Sequence, residues 1–584
     1  MNPLDLLKSR FAEALEGIAE NPAEYLEQIR VSQNPKFGDY QANMAMPLAK
    51  KIGKNPRETA ALIVEKLRWD DILDPPEIAG PGFINLRFKT ETLEKALLGT
   101  LADERLGVAK VKTPRTYVLD YSAPNVAKPM HVGHIRSTMI GNALDKILRF
   151  AGHNVVSDNH IGDWGTQFGM IIYGWRHFLD KDAYEKNPVE ELARLYRLVR
   201  QKADADPAVM TEVLGETSKL HHGDAENLRL WESFLPNCRT EIDRVYKRLG
   251  VGFDHTLGES FYNDRLGPLT EKLRAEGRAR ESQGALCIFL EGEEVPMLIQ
   301  KKDGAFLYAT TDLATLEYRV ETFRPDAVLY VVDFRQSLHF KQLFKAVRQL
   351  GIVPEGTELV HVKFGTVLGD DGKPFKTRSG ETVGLESLLD EAERRALEVV
   401  TANDKDGALS EAERLETARV IGIGALVYAD LSQNRDSDYV FSFDKMLAMN
   451  GNTATYMQYA FARIRSIFAK GKVDPEKLRR GALETAQGGG TPLKLTEPAE
   501  RALAIELLKF SDAVHSVLKD YRPNMLTAYL FDLAGRYSAF FEKCPVLKAE
   551  DEAVRRSRLL LCDRTAETIR LGLSLLGIGT VEKM

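Results

Sequence analysis

The fold of this 584-residue chain is decided by one stretch, Ser122-Ala123-Pro124-Asn125-Val126-Ala127-Lys128-Pro129-Met130-His131-Val132-Gly133-His134. The β-branched and aromatic residues 117–121 precede it, and apolar residues at helical spacing follow it as far as Gly152. The sequence therefore predicts a buried strand, a turn and a helix. The two histidines stand at the helix N-terminus, where unpaired backbone N–H groups and the helix dipole attract phosphate. Gly133 between them lets a nucleotide approach the backbone closely.

Strands and helices alternate on both sides of this turn. Further strands are predicted at 154–157, 327–333 and 359–364, and helices at 313–320 and 340–350. Such alternation is typical of a parallel, doubly wound sheet. A long, charged, helical insertion at about 175–250 separates the two halves of that sheet, and a short β-like stretch at 285–290 follows it.

The length of the chain indicates several domains, because one hydrophobic core does not serve a protein of this size. We expect an α/β multidomain protein. Its parts are a small α+β N-terminal domain (1–112), a doubly wound, Rossmann-like domain (113–384), a helical connecting region (385–445) and an all-helical C-terminal bundle (446–584).

Composition indicates an ordinary soluble protein, with 44% hydrophobic and 28% charged residues. No apolar run is long enough to span a bilayer, and the first residues show no signal-peptide pattern. We therefore expect a cytosolic protein without membrane contacts. The net charge of −6 argues mildly against nucleic-acid binding by the molecule as a whole. A local basic surface is nevertheless enough for RNA, so composition leaves this question open.

The cysteines predict neither a disulfide framework nor a metal site. They stand far apart and form no Cys-x-x-Cys pair: Cys238, Cys287, Cys544 and Cys562. Such an arrangement is typical of reduced thiols. We expect no zinc.

The histidine stretch has a family resemblance. His-Val-Gly-His resembles the signature of class I aminoacyl-tRNA synthetases, and the longer stretch with Gly162-Asp163-Trp164-Gly165-Thr166-Gln167-Phe168-Gly169 is similar to arginyl-tRNA synthetases in particular. The resemblance runs from residues 37–41 to residues 576–584. It implies ATP-dependent ligation of L-arginine to tRNA(Arg) through an arginyl-adenylate, with release of AMP and pyrophosphate. It also implies ATP with Mg²⁺ as a substrate complex, no prosthetic group and a monomeric enzyme.

The resemblance extends to a second signature, a mobile Lys-Met-Ser-Lys-Ser loop, which corresponds here to residues 369–380. The aligned residues read Phe375-Lys376-Thr377-Arg378-Ser379, so both signature lysines are replaced. In family members without the usual lysine, a lysine before the histidines is thought to compensate, and Lys128 stands there. The catalytic residues implied are Lys128, His131, His134, Lys376 and Arg378. The ATP-binding residues implied are His131, Gly133, His134, His339, Phe364, Gly365, Val367 and Lys376.

An arginine substrate needs acidic partners, because a guanidinium presents five donors in a fixed fork that carboxylates accept. The resemblance implies a pocket of Asn125, Glu259, Tyr308, Asp312 and Gln336. Tyr308 and Asp312 stand four residues apart and share one face if they lie on a helix. We expect Asp312 and Glu259 to hold the guanidinium, Tyr308 to pack on its flat side, and Asn125 and Gln336 to bind the α-amino and carboxylate ends.

Two tRNA-binding regions are implied. The N-terminal domain resembles the unit that binds the tRNA elbow, and the C-terminal bundle resembles the anticodon-binding unit. The implied contacts are Phe37, Tyr40, Gln41, Asn43, Tyr459, Arg463 and Met584. Exposed aromatic and amide side chains suit unpaired bases. Phe37 and Tyr40 have an equally good second interpretation, as core residues of a small domain.

Three functions remain open from the residues themselves. Arginine–tRNA ligation is the first, and another class I synthetase or a small-molecule adenylyltransferase is the second. The third is a non-catalytic RNA-binding relative. Length and the helical C-terminal bundle count against an adenylyltransferase, and the pocket carboxylates count against a neutral amino acid. The retained histidines and Lys128 count against loss of catalysis.

Overall fold

The computed structural model describes residues 2–32, 34–126, 128, 130–375, 383–404 and 407–584. The N-terminal unit packs helices on an antiparallel sheet. Its helices are α1 (Pro3–Leu15), α2 (Ala23–Leu26), α3 (Ala45–Ile52), α4 (Pro56–Lys66) and α5 (Thr90–Leu98). Its strands are β1 (Ile29–Val31), β2 (Tyr40–Ala42), β3 (Glu77–Ala79) and β4 (Phe83–Leu86), in the order β1-β2-β4-β3. Asn2 and Asn55 cap α1 and α4, each directly before a proline.

The central unit contains the predicted parallel sheet. Its strands are β5 (Thr116–Asp120), β6 (Asn154–Asp158), β7 (Arg280–Ser282), β8 (Ala285–Ile288), β9 (Met297–Gln300), β10 (Ala327–Tyr330), β11 (Glu358–His361) and β12 (Val367–Leu368). Strands β11-β10-β5-β6 pair in parallel, as the alternating pattern predicts. Strands β7, β8 and β9 form a small antiparallel sheet, which includes the β-like stretch at 285–290.

Some helices of the central unit flank the parallel sheet, and others form the insertion. They are α6 (Val132–Ala151), α7 (Thr166–Phe178), α8 (Lys181–Lys186), α9 (Pro188–Ala205), α10 (Pro207–His221), α11 (Ala225–Leu249), α12 (Asn263–Ala275), α13 (Tyr308–Phe323) and α14 (Ser337–Gln349). Helix α6 begins directly after His131 and ends at Gly152, whose φ of 96° is in the left-handed region. Both ends agree with the sequence prediction.

Among its described residues, the C-terminal part contains helices and one short strand. Its helices are α15 (Leu385–Asn403), α16 (Glu411–Leu431), α17 (Phe443–Met446), α18 (Ala454–Gly471), α19 (Pro475–Gln487), α20 (Pro498–Leu508), α21 (Phe510–Asp520), α22 (Asn524–Lys543) and α23 (Glu552–Leu575). The strand is β13 (Tyr439–Val440), which pairs in parallel with β12. The sequence predicts only helices here, because a two-residue strand has no period to detect.

Helix α6 lies at the centre of the molecule. It packs on β5 and also contacts α15, α16, α21 and α23 of the C-terminal part. Gly141 makes the contact with the sheet possible, since a Cβ there would stand 2.2 Å from the Tyr121 ring. The N-terminal unit docks on a different C-terminal helix, α20, through Arg501, whose guanidinium lies 2.6 Å from the Asp39 carboxylate. No helix in the described part of the chain is long and apolar enough to span a membrane.

Candidate active site

The two histidines form a hydrogen-bonded cap at the start of α6. The Gly133 N–H donates to Nδ1 of His131 over 3.1 Å, and the His131 N–H donates to Nδ1 of His134 over 3.0 Å. Because each Nδ1 accepts, the proton of each neutral ring is on Nε2. Burial lowers the pKa of His134 to about 3, and burial also lowers the pKa of His131. At neutral pH both rings are therefore uncharged donors.

The turn before the histidines is strained and held by side chains. Ser122 and Ala123 have φ values of 71° and 44°, in the left-handed region that L-residues rarely adopt. The Ser122 N–H donates to Oγ of Ser137 over 2.8 Å, and the Ala123 N–H donates to Oδ1 of Asn159 over 3.0 Å. These bonds turn the chain out of β5 and set the direction of the residues that follow.

Lys128 lies on this turn, half-buried, and its N–H donates to the Asn125 carbonyl over 3.3 Å. Burial lowers the pKa of Lys128, and the charge of Arg200 on α9 acts in the same direction. The charge of Lys128 in turn lowers the pKa of both His131 and His134. The lysine is therefore a close neighbour of the histidines.

The second signature is described only at its two ends, because Lys376 and Arg378 lie outside the described residues. On one side, the Phe375 N–H donates to the Val367 carbonyl, and the Phe375 ring packs 5.2 Å from the Phe441 ring. On the other side, Val383 accepts from the Val132 N–H, and the Leu385 N–H donates to Met130. The 383–385 end is thus attached to the histidine cap, and the Phe375 end is attached to β12.

The implied nucleotide contacts Phe364, Gly365 and Val367 follow β11. The Phe364 carbonyl accepts from the Phe334 N–H, so this segment lies beside the residues that follow β10. A Cβ on Gly365 would stand 2.6 Å from the Ser437 backbone. Only glycine allows that approach. The carboxyl ends of neighbouring parallel strands are where α/β proteins bind ligands.

Helix α13 presents the acidic pocket. Nε2 of His339 lies 2.6 Å from Oδ2 of Asp312, and the His339 and Tyr308 rings are 4.6 Å apart. Tyr308 and Asp312 therefore share one face, as their spacing predicts. His339, implied as a nucleotide neighbour, contacts the Asp312 carboxylate directly. Tyr308 is 61% exposed, which leaves one side of its ring open to a ligand.

Glu259 stands in the same acidic environment. Burial raises the pKa of Glu259, while the charge of His160 lowers it and the charges of Asp163 and Asp312 raise it further. Asp163 accepts from the Ser260 N–H and hydroxyl over 2.8 and 2.7 Å. Three carboxylates thus converge near one imidazole. Such a site favours a cation.

His160 and Asp163 are not among the pocket residues that the sequence implies. Asp163 belongs to the Gly-Asp-Trp-Gly string already quoted, and His160 stands three residues before it. Their position directly after β6, at the carboxyl edge of the sheet, was the available signal.

The two ends of the pocket come from loops. The Val126 N–H donates to the Gly162 carbonyl over 2.9 Å, and a Cβ at Gly162 would stand 2.5 Å from Oδ1 of Asn125. Asn125 is thus fixed beside the loop after β6. Gln336 is exposed and closes the short 3₁₀ helix Phe334–Gln336 after β10.

A buried arginine, which is not among the residues that the sequence implies, anchors α13. The Arg319 guanidinium donates to Asp120 over 2.7 Å and to Asp158 over 2.8 Å. These aspartates end β5 and β6, and all three side chains are buried. The pocket helix is therefore fixed to the sheet next to the histidine turn.

The four implied N-terminal tRNA contacts differ in their exposure to solvent. Phe37 is 47% exposed and lines a cavity of about 400 Å³ with Asn85. Gln41 and Asn43 are half-buried, and Nε2 of Gln41 donates to Oδ1 of Asn85 over 2.8 Å. Tyr40 is only 1% exposed and packs against Phe88. Tyr40 is therefore a core residue and no surface contact, in agreement with the second interpretation of the sequence.

The implied anticodon contacts lie on or near α18. Tyr459 is 37% exposed, and Arg463 is exposed one turn later. The Arg463 guanidinium stacks 4.3 Å from the Phe541 ring, so an aromatic partner from α22 holds this cation. Met584 is half-buried at the last residue. The four cysteines are all buried and free.

Three family models match the chain in order. They are the "Arginyl tRNA synthetase N terminal domain" at residues 5–88, the "tRNA synthetases class I (R), catalytic domain" at residues 96–443, and the "DALR anticodon binding domain" at residues 457–584. The chain belongs to the arginyl-tRNA synthetase family.

Relatives of this family match the chain over its full length. The chain is 46% identical to the arginine–tRNA ligase of Rhodopirellula baltica, with 99% of each chain covered. It is 45% identical to the arginine–tRNA ligase of Vibrio vulnificus, with 100% of each covered. Among solved structures, the arginyl-tRNA synthetase of Plasmodium falciparum is similar with a TM-score of 0.82 and 28% identity, over 100% of this chain and 99% of that one. The Thermus thermophilus enzyme shares the fold, with a TM-score of 0.81 and 24% identity, over 100% of both chains.

Proposed function

We propose that the chain, an arginine–tRNA ligase by family, joins L-arginine to ATP at the histidine turn and then transfers the arginyl group to tRNA(Arg). In the first step a carboxylate oxygen of arginine attacks the α-phosphorus, and the bond to the β-phosphate oxygen breaks to release pyrophosphate. In the second, a ribose hydroxyl of the tRNA displaces AMP. The observation that carries the proposal is the acidic pocket beside the uncharged histidine cap. ATP enters with Mg²⁺, as a substrate complex, and the enzyme acts as a cytosolic monomer.

The histidine cap supplies the phosphate side of the site. His131 and His134 present Nε2–H donors. The first N–H groups of α6 are already bonded, that of Val132 to the Val383 carbonyl and that of Gly133 to His131, so the imidazoles and not the bare helix N-terminus meet the phosphates. Donors that are fixed before the reaction stabilise the charge that grows on the phosphates. Lys128 adds a cation from the preceding turn, in place of the missing signature lysine. Lys376 and Arg378 on the second-signature loop add further positive charge for the phosphates. The base and ribose of ATP bind among Phe364, Gly365, Val367 and His339.

The acidic pocket supplies the specificity for arginine. Asp312 and Glu259 accept from the guanidinium, and the exposed face of Tyr308 covers its plane. Asn125 and Gln336, on loops at the two ends, bind the α-amino and carboxylate groups. A site that relies on paired hydrogen bonds rejects a substrate without them by roughly 10⁴-fold or more. Lysine and citrulline should therefore be poor substrates.

The tRNA contacts lie at opposite ends of the chain. The elbow contacts are Phe37, Gln41 and Asn43 in a domain of residues 1–112, and the anticodon contacts are Tyr459, Arg463 and Met584 in a domain of residues 446–584. Residues 113–384 form the catalytic domain and residues 385–445 connect it to the anticodon domain. We further propose that tRNA must be bound before arginine is activated, because Phe375 replaces the lysine that closes the loop in other members.

The test is ATP–pyrophosphate exchange with each amino acid, with and without total tRNA. We expect exchange with arginine alone, and only when tRNA is present. Exchange with another amino acid, or none at all, would defeat the assignment, and exchange without tRNA would defeat the tRNA requirement.

Asp312→Asn tests the pocket. It removes one charge-assisted acceptor, worth about 1.5–3 kcal/mol, so the KM for arginine should rise roughly 10–150-fold while the KM for ATP stays the same. The matched control is Glu317→Gln on the same helix, where the carboxylate faces Lys272 on the outside at 3.3 Å. An unchanged KM for arginine in Asp312→Asn would contradict the pocket.

A further inference from the structure

A second buried arginine lies on the signature helix itself. Arg136 stands two residues after His134, and its Nε lies 2.9 Å from Oδ1 of Asp430 on α16, with 1% and 0% of the two side chains exposed. Removing both charges from water costs free energy, so a buried ion pair is weak support for stability. Its best-attested use is to select one arrangement of the elements that it joins. The question is therefore which arrangement this pair selects.

The Arg136 side chain joins three segments next to the active site. Its Nη1 donates to the Ser437 carbonyl over 3.0 Å. Its guanidinium carbon lies 5.2 Å from the centre of the Tyr439 ring on β13 and 5.8 Å from the centre of the Phe364 ring. Strand β13 pairs with β12, which leads into the second signature, and Phe364 belongs to the proposed nucleotide site. Arg136 thus contacts the proposed nucleotide segment at Phe364 and also the strand that pairs with β12.

On its other side, α16 is attached to the anticodon-binding unit. The hydroxyl oxygen of Tyr428, two residues before Asp430, lies 2.7 Å from Oδ1 of Asn452 and 3.0 Å from the Thr527 carbonyl oxygen, the two acceptors that its single proton can reach. Nε2 of Gln458, the neighbour of the proposed anticodon contact Tyr459, donates to the Gly579 carbonyl over 2.8 Å and lies against Gly424 of α16. Helix α16 is therefore attached to the anticodon-binding unit at Gly424 and Tyr428, and to α6 at Asp430 through Arg136.

We propose that Arg136 and Asp430 are positioning residues, through which the C-terminal helices hold the signature histidines and the nucleotide segment in the geometry that forms arginyl-adenylate. Neither side chain touches substrate, since both are buried below the cap. The inference rests on the proposed function and deepens it. The Arg136–Asp430 pair is the connection through which tRNA bound on α18 acts on the catalytic unit. If tRNA favours one conformation of that unit, an element that contacts both sites must transmit the effect.

The test removes the Arg136–Asp430 ion pair without leaving an unpaired buried charge. A single Asp430→Asn exchange would strand the Arg136 charge and risk unfolding. We therefore combine Arg136→Met with Asp430→Asn. The matched control is Arg558→Met with Glu500→Gln, an ion pair of 2.6 Å that is similarly buried among the C-terminal helices, away from α6. Both double variants lose one cation and one anion.

Three measurements distinguish a positioning role of the ion pair from a purely structural one. They are the rate of pyrophosphate exchange at saturating tRNA, the KM for arginine, and the affinity for tRNA in a filter-binding assay. In the Arg136–Asp430 double variant kcat should fall roughly 100-fold, the cost of a small misplacement of reacting groups. The KM for arginine should change less than about twofold, because Arg319 anchors the pocket helix independently. Binding of tRNA should match that of the control.

A double variant with the control's melting temperature and the parental kcat would overturn the inference while the proposed function stands. If the parent itself shows no arginine-dependent exchange with tRNA, the proposed function fails instead. Should the double variant fail to fold, Tyr439→Leu removes the ring over Arg136 and keeps the ion pair. A loss of kcat at constant KM in that variant supports the inference, and an unchanged kcat overturns it.

Discussion

Two uncharged imidazoles and one lysine share the turn that precedes α6. The histidines are uncharged because they are buried. Their rings are oriented by the hydrogen bonds that each Nδ1 accepts from a backbone N–H. Lys128 brings the single positive charge on this turn, from a half-buried position that lowers its pKa. Burial also weakens screening by water, so this one charge acts strongly on a nearby phosphate.

Lys128→Ala should therefore reduce arginyl-adenylate formation strongly. Loss of one partner of the transition-state charge costs on the order of 3–4 kcal/mol, or roughly 10²–10³ in rate. Phe375→Lys in the same background should recover part of the rate if the site accepts the cation from the loop. Pyrophosphate exchange measures both, with Lys181→Ala on the exposed surface of α8 as the control. A parental rate in Lys128→Ala would refute the role.

The low pKa of His134 makes a prediction about stability. Its pKa is about 3 in the folded chain and near the ordinary value of 6.5 in the unfolded chain, so below pH 6.5 the unfolded chain binds a proton that the folded chain does not. Stability is therefore lost as pH falls from 7 to 5, by about 1–2 kcal/mol from this residue. Trp164, Trp175 and Trp231 lie in the catalytic unit and report its urea unfolding by fluorescence. His134→Gln should lose that much less between pH 7 and 5, and an equal loss would contradict the prediction.

At the scale of elements, the position of α6 is decided by close packing. Gly141 touches the Tyr121 ring, so the helix lies nearer to β5 than any other residue would allow. The same helix supports the histidine cap at its first turn. A displacement of α6 from the sheet thus moves the catalytic groups.

Gly141→Ala should weaken both stability and activity. The new methyl group must displace the ring or the helix, and overpacking costs about 1–3 kcal/mol, more than the roughly 1 kcal/mol that alanine gains in a helix. Gly215→Ala on α10 is the matched control, because nothing stands within 4 Å of its Cβ. The control should be as stable as the parent or more so, by thermal unfolding, with normal exchange. If Gly141→Ala behaves like the control, the packing argument is wrong.

At the scale of the molecule, the C-terminal helices are the common support. They hold the N-terminal unit through Arg501 and Asp39, and they hold α6 through Arg136 and Asp430. Both ends of the chain that we propose to bind tRNA therefore rest on one helical body. Under that proposal, a tRNA that touches both ends acts on the catalytic unit through this body.

Tyr459→Ala tests this long-range connection. It removes one base-stacking contact, worth roughly 1–3 kcal/mol, so exchange at limiting tRNA should weaken although α18 lies outside the catalytic unit. Saturating tRNA should restore most of the rate. The control is Phe289→Ala, another exposed ring, in the small sheet of the central unit. Exchange that is independent of tRNA and unaffected by Tyr459→Ala would disprove the connection.

The sequence by itself determined the parallel sheet, the strand-turn-helix with its histidines, and the helical C-terminal part. These features depend on periodicity and on residue types within about 20 neighbours, which a linear reading contains. It also determined that Tyr308 and Asp312 share a face, since helical spacing alone requires it.

Only the tertiary structure decided which side chains meet across the chain. Tyr40 is buried, although an exposed and a buried tyrosine look alike in sequence. Arg319 bonds to Asp120 across 199 residues, and Arg136 pairs with Asp430 in another part of the chain. His339 likewise forms a hydrogen bond with the Asp312 carboxylate. These contacts depend on how whole elements pack, because charges and rings find partners by proximity in space, and no local period records that proximity.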